Sequence, residues 1–151
     1  MAIRLDTSKR RGVDNHQDSE ITEPYRRWFR TLPNLHPNAV PRTEPSALLN
    51  CHGLTFASRR TKIVDWKNLQ KILMDDVWIE IPLQQALPGD VVIYFDDDGD
   101  ANHSGIVVES IGVNIIPKIC SKWGYAGEFL HWLSDVPRFY GPVHKFYRCR
   151  L

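Results

Sequence analysis

The sequence predicts an α+β fold. Helix-compatible spacing is confined to the first half of the chain, while after Asp75-Asp76 the pattern turns to short apolar runs separated by Gly, Pro and Asp turns. Helices first and an antiparallel meander second is the α+β layout. At 151 residues the chain has the length of one domain, enough to bury a core.

Residues 1–20 are polar, charged and without period, and read as a loosely ordered arm preceding a single domain over residues 21–151. Thr22-Glu23-Pro24 then offers a cap and a first-turn proline for a short helix carrying Tyr25, Trp28 and Phe29, aromatics expected to contact the core. Pro33, Pro37, Pro41 and Pro45 predict an extended connection over the surface. A second helix is expected from Cys51 to about Arg60. A third, capped by Asp65, runs to Met74 with Trp66, Leu69, Ile72 and Leu73 on one face.

Strands follow at 77–81, 91–95 and 103–109, then from Val113 past a Gly112 turn to about Cys120, with a final strand at 143–147. Asp96-Asp97-Asp98-Gly99-Asp100 reads as a solvated hairpin turn. As a calcium loop it has glycine at the wrong place and Val107 where the last glutamate would stand. Arg59-Arg60-Thr61-Lys62 is expected to complement the dipole at a helix end.

Composition narrows the function classes. Hydrophobic residues make up 42% and charged residues 25%, with 19 basic against 18 acidic, so no one-sided charge points to a nucleic-acid partner. No apolar run has membrane-spanning length, and no leader follows Met1, which leads to an expectation of cytoplasmic residence with leaderless export left open. Three separated cysteines, Cys51, Cys120 and Cys149, fit free thiols rather than a disulfide framework. Cys51, His52, His103 and His131 lack zinc-site spacing, and neither metal nor cofactor is expected.

The chemistry centres on Asn50-Cys51-His52-Gly53. A thiol at a helix start feels the positive end of the helix dipole and has unpaired backbone N–H groups beside it, both of which suit a nucleophile. The alternative is a small buried hydrophobe. His103, starting a strand about fifty residues later and followed by the small Ser104-Gly105, supplies a matching general base if helix packs on sheet; otherwise it caps a strand edge. An activated thiol predicts faster alkylation of Cys51 than of Cys120 or Cys149.

In order, Asn50-Cys51-His52-Gly53-Leu54, Leu87-Pro88-Gly89-Asp90 with its apolar strand, and His103-Ser104-Gly105-Ile106-Val107 resemble the papain-like cysteine peptidases and amidases of the NlpC and CHAP type, over roughly residues 46–123. Ser121-Lys122-Trp123-Gly124, His131 and Val136-Pro137-Arg138-Phe139-Tyr140-Gly141 are similar to a bacterial branch of that superfamily without an assigned substrate. The resemblance implies a papain-like fold and a thiol hydrolase in which Cys51 attacks a carbonyl and His103 carries the proton, on a peptide or peptidoglycan-like substrate.

It further implies a third residue, one strand beyond His103, that orients the base. Ser121 stands there instead of the usual His, Asn or acid, with Glu128 and His131 as alternatives. His52, Lys122, Trp123 and His131 are the expected substrate contacts. The same dyad would serve a deamidase or transferase. A catalytically silent binding module, its cleft lined by Trp123, Trp132 and Tyr140, is the reading from a different class.

Overall fold

The structure, a computed structural model, describes residues 1–110 and 116–151. It is a mixed α+β arrangement of three α-helices and one seven-stranded antiparallel sheet. The expected Gly112 turn and the start of a strand at Val113 lie outside the described residues.

Helix α1 spans Glu23–Leu35, longer than the sequence suggested, with Pro33 inside its last turn. There the ring forfeits one backbone bond at a helix end, and the full burial of the adjacent Leu32 holds the turn in place. Helix α2, Cys51–Phe56, ends four residues earlier than expected because Ser58 and Arg59 take left-handed backbone conformations. Helix α3 spans Trp66–Asp75, and Asp65 caps it by accepting from the Lys67 N–H at 2.8 Å.

The strands are β1 (Val40–Pro41), β2 (Trp78–Ile81), β3 (Val91–Phe95), β4 (Ala101–Glu109), β5 (Lys118–Lys122), β6 (Glu128–Trp132) and β7 (Val143–Cys149). Their order across the sheet is β1-β6-β5-β4-β3-β7-β2. The central β3-β4-β5 run is the expected meander, extended by β6, which the sequence reading did not include, with β7 returning to the far side of β3.

The Pro88-Gly89-Asp90 segment is architectural. Gly89 takes φ +95°, and the buried Asp90 accepts from Leu87 N–H at 2.7 Å and from the Arg148 guanidinium at 2.8 and 2.7 Å, tying the entry of β3 to β7. In the hairpin before β4, Asp96 accepts from the Asp98 and Asp100 N–H groups, each at 3.0 Å, which makes the acidic run a turn closed on itself.

The two faces of the sheet differ. Alternation and pairing register put His103, Gly105, Val107, Ile119, Ser121, Phe129 and His131 on one face. There the main core gathers, with Leu32, Trp123, Leu133 and Tyr140 packed in. Ser104, Ile106, Cys120, Lys122, Glu128 and Leu130 face the other way, where α2 packs against Ile106, Cys120 and Leu130.

Residues 1–20, expected as a loosely ordered arm, are tied down along their length. Thr7 and Arg11 bind the buried Asp75 carboxylate at 2.5 to 2.7 Å, Val13 is buried, and His16 bridges to Lys62. The partners lie more than forty residues away, where no local pattern reveals them. The basic patch at 59–62 divides. Arg60 donates to the Ala57 carbonyl at the end of α2 at 3.1 Å, as expected, whereas Arg59 forms a two-nitrogen ion pair with Glu128 at 2.9 to 3.1 Å and Lys62 pairs with Asp18 and Tyr125.

Candidate active site

Asn50 builds the start of α2. Its side-chain oxygen accepts from Gly53 N–H at 2.9 Å and Ile63 N–H at 3.1 Å, while its amide donates to the Ile63 carbonyl at 2.7 Å. Gly53 is required by proximity, because a Cβ there would overlap the Thr61 carbonyl oxygen. Cap and close approach together place Cys51 in the first helical position.

Cys51 is 7% exposed and sits at the floor of a cleft of about 450 Å³. Pro24, Tyr25 and Trp28 of α1 form one wall, Phe139 and Tyr140 another, and Asn50, Asn102 and Gly124 complete the rim. Burial pushes the Cys51 thiol up to about 11, against the backbone N–H groups of Ser104, His52 and Cys51 itself and the nearby charge of Lys122, all of which favour thiolate. Burial works against the fast alkylation of Cys51 expected from sequence, while Cys149 is exposed.

His103 lies on the opposite face, fully buried, and neither ring nitrogen has a hydrogen-bond partner. Its ring stacks on Tyr140 at 3.8 Å between centroids with planes 6° apart. Burial, reinforced by His131 and His52, holds its pKa well below the ordinary histidine value. The room expected beside it is filled by that ring. Small size matters at Gly105 instead, where a Cβ would come within 2.5 Å of Ile119 and 3.0 Å of Ser121.

No hydrogen bond joins the Cys51 thiol to His103, whose two ring nitrogens are both without a partner. The β4–β5 ladder begins at the Gly105–Ser121 pair, and the neighbouring Ser104 backbone N–H favours thiolate at Cys51. Tyr140 borders the cleft beside Cys51 while stacking on His103.

The remaining expected site residues are all interior. Ser121 shares the face of His103, but its hydroxyl pairs with His131 Nε2 at 2.6 Å and accepts from Trp123 Nε1 at 3.0 Å. His131 is bonded at both ends, its Nδ1 meeting the Trp132 carbonyl at 2.7 Å, and burial draws its pKa down to about 4. Glu128 faces α2 and is held by Arg59, away from His103.

His52, expected at the cleft, is buried with Nδ1 against Ser104 Oγ at 2.8 Å, and burial lowers its pKa to about 4. Trp123 is wholly inside, stacked on Phe129 at 4.2 Å. Lys122, 1% exposed, donates to the carbonyls of Ser46 at 2.7 Å and Gly124 at 2.6 Å; burial brings it down to about 8. Of the lining expected for a binding module, Tyr140 is at the cleft, whereas Trp132 lies on the surface under Lys118.

Sequence reasoning passed over Asn102, named Asn50 within the motif without a role of its own, and did not place Tyr25 and Trp28 at the cleft. Trp28 packs against the main core as expected and also borders the cleft, as does the partly exposed Tyr25, since helical spacing identifies a face without saying everything that face meets. Among the described residues no helix is long and apolar enough to cross a membrane, and no group of three or more His, Cys, Asp or Glu is placed to hold a metal ion. In comparisons with protein-family models, curated proteins and solved structures, nothing matches this chain.

Proposed function

We propose that this protein is a thiol hydrolase of papain-like architecture that cleaves an amide or peptide bond, with Cys51 as nucleophile and His103 as general base. One observation carries the reading. A fully buried imidazole with two unspent nitrogens lies under the same tyrosine ring that borders a thiol at a cleft floor. An unpaired buried polar group costs about 1–3 kcal/mol, and such groups persist where chemistry uses them.

The resting pair is a neutral thiol and a neutral imidazole, because burial disfavours charge on both. Proton transfer therefore accompanies attack. As the sulfur adds to the carbonyl carbon, His103 takes the thiol proton, and the backbone N–H groups at the first turn of α2 face the developing oxyanion. The amine or ammonia then leaves with the proton from His103, and water resolves the thioester by the reverse transfer.

Ser121 supports His103 indirectly, by fixing His131 and Trp123 on the same face. Deamidation passes through the same thioester, with ammonia as leaving group.

The test is mass spectrometry of the protein after exposure to a panel of acyl-transferring peptide and muropeptide amides, with Cys51→Ala as control. Acylation at Cys51, lost in Cys51→Ala and reduced at least a hundredfold in His103→Asn, is the expected result. A panel that acylates only the exposed Cys149, or nothing, sinks the hydrolase reading and leaves the cleft as a binding site.

A further inference from the structure

The cleft above Cys51 carries information about what it admits. Tyr25, Trp28, Phe139 and Tyr140 form a continuous band of rings, with centroids 6.1 Å apart for Tyr25–Trp28, 5.9 Å for Trp28–Phe139 and 4.7 Å for Phe139–Tyr140. Phe139 is 60% exposed, an unusual position for a phenylalanine unless something covers it.

Among the described residues, no charged side chain lines this cleft. The charges of α1 are engaged elsewhere, Arg27 and Arg30 with Glu23 at 4.0 and 3.5 Å, while Arg26 and Arg138 border separate depressions. Lys122 stands behind the rim with its ammonium spent on two carbonyls. A carboxylate entering here would lose water against aromatic walls and meet no cation on the lining, with only the field of the buried Lys122 behind the rim, and an ammonium would find rings but no carboxylate to complete its shell. Asn102 donates to the Phe139 carbonyl at 2.5 Å, which steadies the ring-bearing turn and leaves its side-chain oxygen to accept from a substrate N–H.

We infer that the cleft selects an uncharged amide carrying an aromatic or similarly flat apolar group next to the carbonyl, and discriminates against acidic peptides. For turnover this rests on Cys51 being the nucleophile; for binding it does not, and the experiment separates the two. Cys51→Ala protein is titrated with N-acetyl-phenylalaninamide, the α-amide of N-acetyl-glutamic acid and N-acetyl-lysinamide, with binding read by calorimetry and by tryptophan fluorescence.

The phenylalanine amide is expected to bind at least tenfold tighter than either charged amide, and Phe139→Ser in the same background to weaken it roughly fivefold with an unchanged melting temperature. Equal or tighter binding of a charged amide overturns the inference, as does an affinity indifferent to Phe139→Ser. Tight binding of the phenylalanine amide by Cys51→Ala, together with failure of any amide to acylate the unmutated protein, upholds the selectivity and removes the catalytic reading alone.

Discussion

On the face of the sheet that meets α2, the buried polar groups are matched. Ser104 bonds His52 and Thr55, Glu128 holds Arg59, and Lys122 divides its protons between two carbonyls. On the opposite face two histidines sit among apolar and aromatic side chains. His131 is bonded at both nitrogens and His103 at neither. Both rings are equally interior, so burial does not tell them apart; unspent bonding capacity does, and it belongs to the ring stacked on Tyr140.

The largest effect that tests this contrast comes from acid. His52, His131 and His103 all fold as neutral rings with lowered pKa, so the unfolded chain binds more protons than the native one below its ordinary histidine value near 6.5. Stability is therefore full above about pH 7 and falls as the pH drops toward 4. The loss at pH 5 is about 2 kcal/mol for each of His52 and His131, or about 4 kcal/mol together, with His103 adding in the same direction, a large part of the stability of a domain this size. Urea unfolding at pH 7.5 and 5 measures it, and an unchanged midpoint would mean that the rings are not buried as neutral groups.

A smaller loss is expected from Gly53→Ala, where the new methyl overlaps the Thr61 carbonyl. Displacing α2 costs about 3 kcal/mol by chemical denaturation. It also moves Cys51 relative to the cleft, so acylation should fall further than stability explains. Equal stability would show that α2 does not pack as closely as its motif implies.

The smallest effect belongs to the matched face. Arg59→Ala leaves Glu128 interior without its cation; because Arg59 is 54% exposed and water screens the pair, about 1 kcal/mol is expected, reduced in high salt. A loss as large as that at Gly53 would make this face depend on charge rather than on close packing.

Much of this arrangement was legible in the chain. Asn50 and Asp65 announce helix starts, and Val91 to Phe95 announces a buried strand, because caps and apolar runs are local signals. Strand β6 was not foreseen. Its Glu128 and His131 read as polar until Arg59 and Ser121 are brought to them from other parts of the chain, and its Trp132 faces solvent. His52 failed for the same reason, since its partner is Ser104. Residues 1–20 have a polar composition that is matched only by distant Asp75, Asn68 and Lys62. Cys51 and His103 were singled out by residue type and order, and Tyr140 was named as cleft lining, but its stacking on His103 depends on a contact between residues far apart in the chain.

The borders of the sheet have a consequence for how these molecules behave when concentrated. One border strand, β1, is two residues long and ends in Pro41, which has no N–H to offer a newcomer. The other, β2, has four residues with Glu80 exposed along it and runs straight into Pro82. Neither rim presents the long, flat, apolar template on which a second chain extends a sheet, so the protein resists edge-to-edge aggregation without a helix devoted to covering either rim.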